Sequence, residues 1–343
     1  MSLLALHDAA DWRRALEAID HDWYHTWDCH ALASAQGEGQ PVLLVSSQPD
    51  NTLVMPLLLR DLDGGQKDAT SVYGYAGPVA QRVASDEAVA AFFSDVEHWC
   101  RQQEVIAVFS RLHPLFNPRQ VRPPAGITQH AGTTIAIDLT QTEEAQVRGI
   151  RNNHRRGIRK LERNGARCVN DSAYLDAFVG IYEETMARLD ASRYYFFSRE
   201  YYASLLSATD FETRVYTVLD ADGQAMCSGL FVVTPTVVQY HLGGTAGQFF
   251  KHAPAKLMME QVRRDGAREG RRYFHLGGGL GGREDSLFAF KRGFSDLELD
   301  FSLLKWVIDD SAYEERVARC RRESGDAPFN EDFFPAYRQT AHG

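Results

Sequence analysis

Chemistry in this chain concentrates where a run of glycines meets a lysine. Residues 273–294 read YFHLGGGLGGREDSLFAFKRGF. Gly277, Gly278, Gly279, Gly281 and Gly282 let the backbone take positive φ and come close to a bound molecule. The pattern then predicts an amphipathic helix beginning near Glu284 that delivers Phe290, Lys291, Arg292 and Phe294. Phe290 and Phe294 pack inward and fix its rotation. Lys291 stands one residue off that stripe, free to reach a groove and set a cation against developing negative charge. Arg292 projects about 100° further round the helix.

A second concentration of charge lies between Ala145 and Cys168. It contains Arg148, Arg151, Arg155, Arg156, Arg159, Lys160, Arg163 and Arg167 against a single acid, Glu162. On a helical projection the cations fill one half of the surface, while Val147, Ile150, Ile158 and Leu161 fill the other. A basic amphipathic helix is expected, docked by its apolar face. Most charge runs are only solvated faces. This one is almost purely cationic within an acidic protein, so Arg151, Arg155 and Arg159 are read as phosphate ligands. His154 projects onto the apolar half, where a satisfied core histidine is expected rather than a catalytic base.

These groups need elements to hold them. The 343 residues suggest two domains, and 44% hydrophobic with 24% charged residues is ordinary for a globular protein with a core. No apolar run approaches the ~18 residues of a membrane span. The N-terminus shows no signal-peptide pattern, and five scattered cysteines without C-x-x-C fit a reducing cytoplasm. A net charge of −9 disfavours general nucleic-acid binding outside local basic patches. The first block predicts a helix around 12–19, strands 41–47 and 52–59, an aromatic–glycine segment 72–79, a helix 86–103, and strands 105–111 and 133–139. Thr140 is read as N-cap of the next helix, with Glu143 completing a capping box. The second block predicts the basic helix, a strand near 167–170, a helix 173–189 and an aromatic loop, 190–202, followed by a helix. Strands 213–219, 224–234 and 236–242, a helix starting at Pro254, strand 272–276, the Lys291 helix and strand 297–307 complete it.

The glycine-to-FKRGF tract and the stretch R151-NNH-R155-R156-G-I158-R-K160-L resemble the Fem family, aminoacyl-tRNA-dependent transferases that extend peptidoglycan bridges. That family carries an FK-x-x-F signature and an R-x-x-x-R-x-x-I-x-K-A-like helix. Here Leu161 stands where the family usually has Ala. The resemblance covers roughly residues 40 to 307 by pattern order. It implies an α/β fold of two tandem GNAT-like (acyl-CoA N-acyltransferase) domains, with mixed central sheets flanked by helices. The expected division is 1–142, 143–308 with most of the active groove, and a tail, 309–343, packing back on the first domain.

In acetyl-CoA-dependent GNAT enzymes the loop after the fourth strand cradles a pyrophosphate on glycine amides. Here that loop is GGTAGQFFKHAPA, with Lys251 in a glycine's place and Pro254 removing a donor. No cofactor is therefore expected, and aminoacyl-tRNA serves as co-substrate. The alternative is a CoA enzyme that tolerates a divergent loop. The resemblance assigns Lys291 to the oxyanion or to the tRNA terminal phosphates. It favours Tyr240 over His241 as the polar group of the strand facing the cleft. Tyr73 and Tyr75 match a stretch lining the acceptor groove, or form a tight packed turn. Tyr194, in the loop 193–198, either covers substrate or packs.

The implied reaction moves an amino acid from aminoacyl-tRNA to an amine of a cell-wall precursor or small molecule. The expected partners are the tRNA acceptor end and a small or nucleotide-linked amine, in the cytoplasm and without membrane insertion. An acyl-CoA-dependent N-acyltransferase of sugars or small amines is the rival. A catalytically dead GNAT-like module for anionic ligands is a third, disfavoured by the retained Lys291 helix. No metal cluster, catalytic triad or P-loop is visible.

Overall fold

A computed structural model describes residues 3–48, 51–325 and 329–339. In chain order the elements begin with β1 (Leu4–Leu6), α1 (Ala9–Leu16), α2 (Trp27–Ala35), β2 (Gln40–Gln48), β3 (Asn51–Asp61), β4 (Lys67–Thr70) and β5 (Val79–Ala80). Then come α3 (Asp86–Gln102), β6 (Val105–Arg111), α4 (Asn117–Gln120), β7 (Thr128–Asp138), α5 (Glu143–Gly149), α6 (Asn152–Arg163), β8 (Arg167–Asn170) and α7 (Leu175–Arg188). The remainder are α8 (Arg199–Ser207), β9 (Glu212–Leu219), β10 (Ala225–Val233), β11 (Val237–Thr245), α9 (Ala255–Arg268), β12 (Tyr273–Gly277), α10 (Ser286–Lys291), β13 (Leu297–Val307) and α11 (Asp310–Ser324).

The chain forms two compact units, 1–131 with 300–343, and 132–299. In the first unit the strands run β1-β2-β3-β4-β6-β13, with β5 on β3. Val42, Leu44, Leu57, Phe92, Val96, Val108 and Leu304 fill its core. Helix α11 belongs to this unit. Its Arg316 and Arg319 bind the Asp63 carboxylate, and farther along Arg338 reaches buried Asp68 at 2.5 Å. In the second unit the order is β7-β12-β11-β10-β9-β8, antiparallel except for the β11–β12 pair. Phe231, Met258, Val262, Phe274, Phe288 and Phe294 pack with Ile158 and Leu161 of α6 in its core.

Three local expectations need correction. The basic stretch is two helices. Ile150 and Arg151 are extended (ψ 125° and 144°), so Arg148 stands apart from the cations of α6. The cap before α5 is Thr142, whose hydroxyl accepts from Ala145 N–H at 3.3 Å. Thr140 instead donates to Asp138 through its hydroxyl, at 2.6 Å, and its N–H does so at 3.0 Å. That turn delays the helix by two residues. Pro254 sits at the N-cap of α9 rather than inside its first turn. Among the described residues all five cysteines are free, no helix is long and apolar enough to cross a membrane, and no His/Cys/Asp/Glu group could hold a metal ion.

Candidate active site

Parallel pairing of β11 with β12 runs from Val237↔Tyr273 to Gln239↔His275, after which β11 continues along β10 as far as Thr245. Two buried side chains close the end of that pairing. His275 Nδ1 lies 2.7 Å from Gln239 Oε1, and its Nε2 lies 3.0 Å from the Thr134 hydroxyl. Just beyond, the register moves from Phe231↔Tyr240 to Leu230↔Leu242, so His241 is an extra residue. Such a bulge resets the alternation of faces. Tyr240 and Gly243 share one face, and a Cβ on Gly243 would overlap the Tyr240 hydroxyl. The Tyr240 ring stacks on Phe231 at 5.2 Å, and burial raises its hydroxyl above the ordinary tyrosine range, so it stays a proton donor. His241 turns instead to Tyr201 of α8, whose hydroxyl lies 2.7 Å from Nε2, and burial pushes its imidazole down to about 3.

Lys291 approaches Tyr240 from α10. The helix starts at Ser286, two residues later than expected, because Asp285 caps it by accepting from Phe288 N–H at 2.9 Å. The same carboxylate accepts from Leu280 N–H at 3.0 Å and so anchors the glycine loop. Gly277 leaves β12 with φ +75°, a conformation that favours glycine. Lys291 is not free in a groove as its sequence position suggests: it is 7% exposed and its Nζ donates to the Gly278 carbonyl at 2.6 Å. Nζ also lies 5.8 Å from the centre of the Tyr240 ring. Desolvation lowers the amine to about 8 against an opposing pull from Asp285. A buried amine with that value is a cation at neutral pH and exchanges its proton readily slightly above it.

Helix α6 is fastened to the same turn. Arg151 N–H donates to Gly293 O at 2.9 Å, and no side chain caps the start of α6. His154 is 5% exposed, with Nε2 3.0 Å from Phe290 O and Nδ1 3.0 Å from the side-chain amide of Asn153. It is the core histidine expected of it, held between Phe290 and Phe294. Arg155 lies half-buried against the Asn152 side-chain oxygen. Arg156, Arg159, Lys160 and Arg163 line an open concavity together with Glu162, which pairs with Arg264 at 3.6 Å.

The segment joining β11 to α9 is a 3₁₀ helix, Gly247–His252, followed by Ala253 at φ +50°. Gly247 N–H donates to Glu184 Oε1 at 2.8 Å. Lys256 N–H and Leu257 N–H bond to Ala253 O and Pro254 O at 3.2 and 2.9 Å. Arg188 lies over the exposed Phe250 ring at 5.2 Å. One amide of this loop and two of the first turn of α9 thus have partners, and the loop amide's partner is a carboxylate that would repel a pyrophosphate.

Of the residues singled out in the sequence, the structure brings together Lys291, Tyr240 and, through Gly293, the start of α6 with Arg151 and Arg155. Arg159 is two turns further along α6. Arg292 is engaged by Glu298 at 2.6 Å. Tyr194 is half-exposed and edge-on to Tyr195 at 5.5 Å. Tyr73 and Tyr75 belong to the first unit. Tyr73 is half-exposed under the Arg111 guanidinium. Tyr75 is packed among Tyr24, His113 and Phe301, and burial pushes it up to about 12. Sequence reasoning missed the Gly278 carbonyl, Glu184 and Tyr201. A lysine one residue off an apolar stripe ordinarily keeps its amine in water, so the sequence does not call for the first. Nothing local marks the other two.

Residues 148–292 match the family model for an acetyltransferase (GNAT) domain. No curated protein matches the chain by sequence. Among solved structures, the crystal structure of FemX is similar with a TM-score of 0.70 at 12% identity, over 92% of this chain and 99% of that one. The C-terminal domain of a putative lysylphosphatidylglycerol synthetase from Agrobacterium fabrum follows at 0.53 and 13% identity, over 89% of this chain and 94% of that one. The structure of L-PGS from Bacillus licheniformis stands at 0.53 and 11% identity, over 88% and 92%. The fold is therefore α/β, GNAT-like and FemX-like along the chain, as the sequence implied.

Proposed function

We propose that this chain, an acyltransferase by fold, moves an amino acid from aminoacyl-tRNA to the amine of a small or nucleotide-linked acceptor. The observation that carries the reading is the loop between β11 and α9. Its Gly247 amide is occupied by the Glu184 carboxylate, and the Lys256 and Leu257 amides of the first turn of α9 already bond to Ala253 and Pro254, which disfavours the pyrophosphate of coenzyme A as donor handle. The likeness of the fold to FemX, and to a protein named for joining lysine to phosphatidylglycerol, supports an aminoacyl donor.

In this reading the acceptor amine attacks the ester carbonyl, a tetrahedral oxyanion forms, and the C–O bond to the tRNA ribose breaks. The amine proton ends on the released ribose hydroxyl. An aminoacyl ester is already activated, so the protein mainly orients two substrates and stabilises the oxyanion. The Lys291 ammonium supplies that charge or meets the tRNA terminal phosphates, over the face of the Tyr240 ring. Arg151 and Arg155, at the uncapped start of α6, and Arg159 hold phosphates. Tyr73, Tyr75, Tyr194, His241 and Arg292 are assigned to substrate contacts outside that centre. No cofactor is called for, and the reaction belongs to the cytoplasm.

The match of residues 148–292 to a family described as an acetyltransferase favours a second reading, transfer from acyl-CoA to a sugar or small amine. Calorimetric titration with acetyl-CoA separates the two. The aminoacyl-tRNA reading expects no tight binding. A dissociation constant in the low micromolar range, about −8 kcal/mol, would overturn it in favour of coenzyme A.

A further inference from the structure

The six-residue helix that presents Lys291 is too short to fix its own rotation. An isolated helix of that length does not persist in water. Its N-terminal end is held by Asp285. Its C-terminal end is held from outside by α6. His154 reaches across to the Phe290 carbonyl, the backbone group immediately before Lys291, and Arg151 N–H takes the Gly293 carbonyl three residues on. The fit is close. A Cβ on Gly293 would overlap the imidazole, and the ring touches both Phe290 and Phe294.

A carbonyl only accepts, so the 3.0 Å contact places the proton of the neutral ring on Nε2. Burial lowers the His154 imidazole below its ordinary value; the bond to Phe290 opposes that shift, and the charges of Lys256 and Arg151 add to it. A side-chain tip lies roughly 6 Å from a helix axis, so a rotation of α10 by about 20° would carry Nζ about 2 Å. That distance breaks the bond to Gly278 and takes the amine off the Tyr240 face.

We infer that His154 is a positioning residue for Lys291: by donating from Nε2 to the Phe290 carbonyl it sets the rotation of α10 and seats the amine between Gly278 and Tyr240. The inference rests on the reading of Lys291 as the charge at the reacting carbonyl, yet its geometric half can be tested without substrate.

The test follows the lysine itself. The chain has six lysines, Lys67, Lys160, Lys251, Lys256, Lys291 and Lys305, so ¹³C-labelled lysine side chains give a countable NMR spectrum, with Lys291 assigned from Lys291→Arg. In His154→Phe, which keeps the ring contacts and removes the donor, the Lys291 titration should move up toward the ordinary lysine value of about 10.4. In His154→Gln, which can still donate to Phe290, it should stay near the wild-type value. A folded His154→Phe protein with an unmoved Lys291 titration overturns the inference. Independently of any variant, ¹⁵N spectra of the wild-type ring should show the proton on Nε2, and a proton on Nδ1 instead overturns it.

With a pool of charged tRNAs, His154→Phe should lose more than tenfold in kcat with KM for tRNA little changed, and Gln should restore most of it. Equal losses in kcat and in substrate affinity that Gln does not restore point to a structural role and count against positioning. If the Lys291 titration moves while the wild-type protein transfers nothing from tRNA, positioning stands and the aminoacyl reading falls.

Discussion

Replacing Lys291 by methionine should make the protein more stable at neutral pH, because the lysine is held where an amine is costly. Burial lowers it from 10.5 to about 8. At ~1.36 kcal/mol per unit that depression costs about 3 kcal/mol at pH 7. Methionine keeps an apolar stem of similar length and forfeits the bond to Gly278, worth about 2 kcal/mol while the amine is charged, so a net gain of about 1 kcal/mol is expected. The pH dependence carries a definite sign. Between pH 8 and 10.5 the unfolded chain binds more protons at this lysine than the folded chain does. Wild-type stability therefore rises with pH through that window relative to the variant. By pH 9.5 the remaining penalty is about 1 kcal/mol, and the two proteins should be nearly equal. Urea unfolding must be followed by far-ultraviolet circular dichroism, since Trp12, Trp23, Trp27, Trp99 and Trp306 all lie in the first unit and report nothing about the second. A Lys291→Met protein less stable than wild type at pH 7, or a difference that does not change with pH, would refute the claim of a desolvated amine.

Three further outcomes are expected. Lys291→Ala should lower kcat by roughly a hundred- to a thousandfold, about 3–4 kcal/mol, with little change in acceptor affinity. Arg292→Ala serves as the control, because Arg292 is taken up by Glu298 and its loss should cost far less. Reversing charge at Arg151 and Arg155 together should weaken phosphate-ligand binding and flatten its dependence on salt while the protein stays folded. An unchanged salt slope in a binding titration would make the face a solvated one. Gly277→Ala should lower kcat, since a side chain at φ +75° is strained and its methyl group would sit 3.4 Å from Nζ. Steady-state rates beside a melting curve separate that effect from unfolding.

The order of elements in the second unit was legible because each strand there alternates or runs apolar and each helix carries a stripe. Strand β8 falls at the expected residues, as does β13, most of which belongs to the first unit. The buried side of the basic helix was legible too, since Ile158, Leu161 and His154 share one face. What escaped depends on partners far along the chain or on backbone detail. The break between α5 and α6 comes from two extended residues within a stretch that reads as one continuous amphipathic pattern. Helix α2 was missed because its apolar residues form no stripe. Lys291 read as an exposed cation because its acceptor is a backbone carbonyl thirteen residues earlier. The bulge at His241 leaves no mark in a sequence read as simple alternation, yet it decides which face Tyr240 and Gly243 share. Glu184 lies on α7, 63 residues from the amide it occupies, and a loop motif read by itself does not reveal it.

Transfer from charged tRNA is the most direct test of the central claim. A mixed pool of tRNAs carrying radiolabelled amino acids is incubated with the protein and with amine acceptors, free and nucleotide-linked. Mild alkali then removes any label that remains as ester. The account predicts alkali-stable amide label with wild type, and almost none with Lys291→Ala. Absence of that label beside efficient labelling of the same acceptors from radiolabelled acetyl-CoA would contradict it.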